Sequence, residues 1–209
     1  MAGRLLILGA GGHGRAVAEL AAACGWSIAG FTDRTPGPGV LGGDDDVEDL
    51  IRTGEADAAI VGVGNTALYR RTELFELLKK AGATTPILVH PRASVAGTCR
   101  IGEGTVVFPG VVLGAAVEVG DNVVLYSNAV AEHDCRIASH AYLSPGAILS
   151  GSVTVEASAF IGAGAVLLPG ISVGRGATVG AGAVVTARVT AGATVLGSPA
   201  RQIAPRGGA

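Results

Sequence analysis

The chain has 209 residues, 49% of them hydrophobic, and a formal net charge of −2, so it is long enough for one large domain or two small ones with a buried core. No basic run accompanies that charge, which removes the electrostatic footprint of a nucleic-acid binder. No apolar stretch reaches the ~18 residues that would suggest a membrane span, and Cys24, Cys99 and Cys135 form neither a CxxC pair nor a disulfide framework, as expected in a reducing cytoplasm. Glycine is the outlier: 34 residues, more than twice the ordinary share of about 7%. Aromatic residues make up only 4%, so Val, Ile, Leu and Ala must fill the core.

The first part alternates strand and helix. RLLIL (4–8) is a short apolar run that ends in glycines and reads as a buried strand rather than a signal peptide. An alanine-rich helix is expected over 13–23, and SIAGFTD (27–33) is a second strand. A Pro/Gly-rich loop follows at 34–44, then a short helix at 46–53. DAAIVGVG (57–64) is a third strand. Residues 66–81 form a helix with Leu68, Leu74, Leu77 and Leu78 on one face and Gly82 as its C-cap. PILVH (86–90) is a fourth strand. Such alternation implies a parallel sheet covered by helices.

After His90-Pro91 the pattern changes. Every sixth residue from Val95 to Val185 is apolar: sixteen positions, of which only Ala131 is not Val, Ile or Leu. At 49% hydrophobic content a run of sixteen has a chance of about one in 10⁵. The offset two residues earlier also repeats, with only Cys, Thr, Val, Ala or Ile from 99 to 183. A six-residue period marks a parallel β-helix in which three hexads close one triangular coil. Sixteen hexads make five coils and a fraction. Glycine follows the main apolar position at 102, 114, 120, 162, 174 and 180, where it is expected to allow bends of positive φ. Domains are therefore expected at 1–86, Rossmann-like, and 87–209, a β-helix with a C-terminal tail.

At this point the chain resembles a known family. The hexapeptide pattern looks like the left-handed β-helix acyltransferases. ILGAGGHGR, GFTD, AEHDCRI (131–137), LSPGAILSG (143–151) and VLGSPAR (195–201) narrow the likeness to the sugar O/N-acetyltransferases of the bacillosamine, perosamine and sialic-acid pathways. That resemblance implies a left-handed β-helix, acetyl-CoA as co-substrate, a nucleotide-linked amino sugar of the 4-amino-4,6-dideoxy type as acceptor, and a homotrimer with active sites between neighbouring β-helices.

His133 is the expected general base. Acyl transfer to an amine requires proton removal, and imidazole with an ordinary pKa near ~6.5 suits neutral pH. Counting by eighteen stacks His133 with Gly97, Ala115, Gly151, Pro169 and Ala187, none of which has a polar side chain. Glu132 and Asp134 flank His133; by resemblance Asp134 raises its basicity, and the Gly151 N–H serves as oxyanion donor. Cys135 falls at an inward offset, so direct transfer without an acyl-enzyme is expected.

The loop Gly9-Ala10-Gly11-Gly12-His13-Gly14 follows a strand and opens a helix, an arrangement that presents N–H groups to a diphosphate. Alone, with Asp33 about twenty residues on, it would equally read as NAD binding. By resemblance Gly11, Gly12, His13, Gly14, Arg15, Asp33, Gly64 and Asn65 meet the nucleotide sugar. Coenzyme A falls by resemblance to Tyr142, Gly151, Ala163, Ala181 and Arg201. Where the family often has Asn seven residues before the histidine and His nine after it, this chain has Tyr126 and Tyr142. O-acetylation of a sialic-acid-like sugar and a non-catalytic trimeric scaffold are the alternatives. A three-histidine zinc site is not expected, because His90 precedes the repeat and leaves only His133 and His140.

Overall fold

The computed structural model describes residues 3–65 and 68–203. It divides into two compact units, Met1–Pro91 and Arg92–Ala209, where the sequence places the boundary at 86.

The first unit runs β1 (Arg4–Leu8), α1 (Gly12–Ala23), β2 (Ser27–Thr32), β3 (Val40–Gly42), a 3₁₀ turn (Asp44–Asp46), α2 (Val47–Arg52), β4 (Ala58–Val61), α3 (Leu68–Lys80) and β5 (Leu88–Val89). The expected start of α3 at 66 lies outside the described residues. The sheet order is β3-β2-β1-β4 with every pairing parallel. β1 is central, which explains why Leu5 to Leu8 are all fully buried. α1 buries Gly14, Val17, Leu20 and Ala21, one stripe at helical spacing. On α3 the buried set is Arg71, Leu74, Phe75 and Leu78, so an arginine shares the apolar face.

Two expectations for this unit need correction. The segment 34–44 is not all loop, because Val40–Gly42 adds to β2 as an edge strand. A three-residue strand has no readable period, and its flanking Pro36 and Pro38 argue for a loop. The fourth expected strand shrinks to Leu88–Val89 and is not part of this four-stranded sheet.

The second unit is a parallel β-solenoid of about six turns. Face one carries strands Ser94–Val95, Val112–Leu113, Val130–Ala131, Ile148–Leu149, Val166–Leu167 and Val184–Val185. Face two carries Arg100–Ile101, Glu118–Val119, Arg136–Ile137, Thr154–Val155 and Ser172–Val173. Face three carries Val106–Val107, Val124–Leu125, Tyr142–Leu143, Phe160–Ile161, Thr178–Val179 and Thr194–Leu196, closed by an antiparallel Arg201–Ile203. The register steps by one coil, as in Val130↔Ile148 and Arg136↔Thr154. All main apolar positions from Val107 to Val185 are buried. The second inward offset fills the remaining space with small groups, such as Ala129, Cys135, Ala141 and Ala147.

The glycines after the main apolar positions do a different job from the one expected. The residues of positive φ lie two places later, as at Asn122 (52°), Asn128 (60°), Asp134 (61°) and His140 (65°). Only Gly, or a short polar residue such as Asn or Asp, adopts this region at low cost. At Gly102, Gly120 and Gly162 an added Cβ would instead lie 2.5–2.6 Å from backbone atoms of the next coil. These glycines let successive corners stack in contact.

Candidate active site

His133 stands at the corner between faces one and two. The coil ladder pins its backbone from both sides. The His133 carbonyl accepts the Ser152 N–H at 2.9 Å, and the Asp134 N–H donates to the Ala115 carbonyl at 2.9 Å. These bonds set His133 in register with Ala115 and Gly151, as counting by eighteen predicts. Asp134 sits in the left-handed slot at φ 61°, and its Oδ2 lies 2.8 Å from His133 Nδ1. The carboxylate that meets the ring is therefore Asp134's rather than Glu132's. A carboxylate accepts only, so in the neutral imidazole Nδ1 carries the proton and Nε2 keeps its lone pair. Both side chains remain about three-fifths exposed, at 63% and 62%.

Two glycines shape this corner. A Cβ on Gly151 would lie 2.6 Å from His133 Nε2 and Cε1, so the ring sits directly against the Gly151 backbone. A Cβ on Gly114 would lie 2.8 Å from the His133 nitrogen. Around Gly151 the ladder uses the Ser150 and Ser152 N–H groups and the Gly151 carbonyl, which accepts from Gly170. The Gly151 N–H stands outside that ladder. Cys135 is fully buried, and its Sγ points to the Ser150 carbonyl at 3.2 Å. Burial raises its thiol pKa, which disfavours a thiolate nucleophile.

Of the residues expected to hold coenzyme A, Gly151 is at this corner and the other four are elsewhere in the chain. Tyr142 is the clearest departure. Its side chain is on face three, across the prism from His133, and only 5% exposed. It stacks between Tyr126 and Phe160 at centroid distances of 6.3 and 5.6 Å. Phe108 extends the stack, 4.3 Å from Tyr126. The ring faces are thus committed to packing. Ala163 and Ala181 are exposed one coil apart on the corner after face three, where the Gly182 N–H donates to the Ala163 carbonyl at 2.8 Å. Arg201 is exposed on the closing strand and hydrogen-bonds the Ala200 carbonyl. A groove of about 570 Å³ on face two is lined by Arg100, Arg136 and Arg175 among others and by none of the expected site residues.

In the first unit the glycine loop forms as expected, but its members divide by role. Gly11 and Gly12 are exposed at the start of α1, and Gly11 makes no side-chain cap, leaving early N–H groups for an anion. Gly14 is buried, and a Cβ there would lie 1.9 Å from the Gly9 carbonyl oxygen. The missing side chain there lets α1 approach the sheet. Arg15 is exposed and donates to the Ala10 carbonyl at 3.1 Å. Asp33 accepts the Ala10 N–H at 2.9 Å and the Thr35 N–H at 3.0 Å. Those donors hold its carboxyl below the usual range. A cleft of about 370 Å³ opens past Ala10, Gly11, Arg15, Asp33 and Val40.

His13 and Gly64 meet: a Cβ on Gly64 would lie 3.1 Å from the His13 Cβ. Asn65 follows and is exposed. Burial, and then the Arg71 guanidinium, push the His13 pKa down to about 3, so the ring is neutral at pH 7. Arg71 itself is fully buried and donates from Nη1 to the Val63 carbonyl at 2.5 Å. Sequence reasoning missed it; the only signal is its spacing of three from Leu74 on an apolar stripe. Among the described residues no group of His, Cys, Asp or Glu could hold a metal ion.

Comparison with known proteins agrees with both units. The model of the PglD N-terminal domain matches residues 4–77, and that of the hexapeptide repeat of succinyl-transferase matches 152–187. No curated protein matches by sequence. Among solved structures, the acetyltransferase domain of PglB from Neisseria gonorrhoeae, in complex with acetyl coenzyme A, is 36% identical. That alignment covers 96% of this chain and 98% of the other, with a TM-score of 0.89. PerB from Caulobacter crescentus, in complex with CoA and GDP-perosamine, is 33% identical over 98% and 99%, with a TM-score of 0.92. WeeI from Acinetobacter baumannii is 29% identical over 95% and 99%, at 0.83. The solenoid matches the left-handed β-helix acyltransferases. By this likeness along its whole length, the chain belongs to the hexapeptide-repeat sugar acetyltransferases with a PglD-type N-terminal domain, and it is an acyltransferase.

Proposed function

We propose that this protein transfers the acetyl group of acetyl-CoA to the amine of a nucleotide-linked 4-amino-4,6-dideoxy sugar. The observation that carries the reading is the His133–Asp134 pair at 2.8 Å with Nε2 turned to the Gly151 corner. The amine nitrogen attacks the thioester carbonyl. Its proton passes to His133 Nε2, and the resulting imidazolium is held by Asp134. The Gly151 N–H receives the negative charge that develops on the carbonyl oxygen. The C–S bond then breaks, and the departing thiolate takes the proton back from His133. Proton and electron pair balance with no acyl-enzyme.

The nucleotide part of the acceptor occupies the first unit, by the exposed N–H groups at Gly11 and Gly12, with His13, Arg15, Asp33, Gly64 and Asn65 about them. Coenzyme A lies along the corner of Ala163 and Ala181, with Arg201 toward its phosphates. Since that corner and His133 occupy different edges of one prism, a complete site needs edges from two chains. A homotrimer supplies them. The outward row of face one supports it, with Val112, Val130, Ile148, Val166 and Val184 all apolar and Val112 and Ile148 exposed. Three free cysteines fit a reducing cytoplasm.

Incubation with acetyl-CoA and UDP-, GDP- or dTDP-linked 4-amino sugars tests the reading. Release of CoA with one of them, and its loss in His133→Ala, is expected. Acetyl-CoA binding without turnover on any of the three would reject it.

A further inference from the structure

A fully buried arginine needs a reason, because desolvating a guanidinium is costly without fixed partners. Arg71 lies on α3, outside every motif that carries the transfer chemistry. Its Nη1 donates to the Val63 carbonyl at 2.5 Å. The next residue, Gly64, lets the His13 side chain close in, since even a Cβ there would stand 3.1 Å from the His13 Cβ. His13 is in the first turn of α1, one residue after the exposed Gly11-Gly12 N–H groups. Thus α3, the loop after β4 and the start of α1 are joined in one chain of contacts that runs from Arg71 to the anion-facing end of the helix.

We propose that Arg71 is a positioning residue for the nucleotide site, acting through the Val63–Gly64 loop to seat His13 at the start of α1. The inference rests on the reading that the first unit binds a nucleotide-linked sugar. Arg71 does not touch the ligand. Its fork holds the loop by a directional hydrogen bond, and its charge favours the neutral form of the neighbouring imidazole. A neutral His13 keeps one N–H donor and one acceptor at fixed places, which suits orienting a sugar diphosphate more than attracting it from afar. Burial and then Arg71 both act in that direction on the His13 pKa.

The test titrates UDP, GDP and dTDP into the full-length protein by calorimetry, with acetyl-CoA as a control ligand for the solenoid. Arg71→Met and Arg71→Lys are compared with Gly64→Ala, which perturbs the same contact from the loop side and leaves the buried charge in place. All three are expected to weaken the nucleoside diphosphate that the wild type binds by tenfold or more, with acetyl-CoA affinity within twofold. In Arg71→Met, NMR titration of the His13 ring is expected to show its pKa moving up toward the ordinary 6.5. The shift counts where the first unit keeps its wild-type unfolding transition, which a merely structural role of Arg71 would lower. If Arg71→Met fails to fold, Arg71→Lys decides. Nucleoside diphosphate affinity within twofold of wild type in the folded Arg71 variants overturns the inference while leaving the nucleotide reading in place. Failure of the wild type to bind any of the three diphosphates overturns the nucleotide reading itself, and this inference with it.

Discussion

The solenoid and the α/β unit hold their functional residues in opposite ways. In the solenoid a repeated core carries the fold, and His133 and Asp134 project from a corner with most of their surface exposed. Their side chains fill no part of the core. In the α/β unit the exposed Gly11, Gly12 and Arg15 stand on residues that are inside: Gly14 and Arg71 are buried and His13 is mostly so. Chemistry and stability are therefore separable in one unit and entangled in the other.

Substitutions can break or sharpen that contrast. The largest expected effect is at Gly14. Gly14→Ala puts a Cβ 1.9 Å from a carbonyl oxygen that cannot rotate away. The overpacking should destabilise the first unit by about 3 kcal/mol or more, read as an early transition in thermal or urea unfolding, with nucleotide binding lost at the same time. Leu125→Ala, at a fully buried main position, should cost about 2–4 kcal/mol. Because each coil contacts only its neighbours, acetyl transfer per folded molecule should persist. Loss of catalysis in step with stability would show that the solenoid is as entangled as the other unit.

Acid provides the next test. His13 has a folded pKa of about 3 against an ordinary 6.5. The unfolded chain therefore binds the proton first, and stability falls as pH drops through that window. Going from pH 6.5 to 4.5 should remove on the order of 2–3 kcal/mol through this group. His13→Gln should flatten that slope in urea titrations at both pH values. An unchanged slope would place the ring in contact with water. Asp134→Asn should have the smallest effect, since the ring keeps its seat against Gly151. It should lower kcat by about tenfold, or about 1.4 kcal/mol, with no measurable change in melting temperature.

How much of this was legible in the sequence follows the same division. A period of six assigns every residue of the solenoid to core, face or corner, so the core positions and the register of His133 with Ala115 and Gly151 could be read directly. What the period hides is which corner position takes positive φ, because Asn, Asp, His and Ser share that slot with glycine. The aromatic stack needs the structure as well, because Phe108 and Tyr126 sit one place after the main position and Tyr142 and Phe160 one place before it. In the α/β unit the parallel sheet and the glycine loop were readable from strand–helix alternation. The edge strand Val40–Gly42 was too short to show a pattern. Arg71 was hidden for a different reason: a long charged side chain is ordinarily placed at the surface, and only tertiary contacts reveal a buried one.

The central claim is that His133 removes the amine proton from a corner that the fold does not need. The direct measurement is steady-state kinetics of His133→Ala beside its melting temperature, at saturating acetyl-CoA and sugar nucleotide. The account predicts a fall in kcat of about 10²-fold or more, with the melting temperature and the KM for acetyl-CoA nearly unchanged. Turnover close to that of the wild type would contradict it.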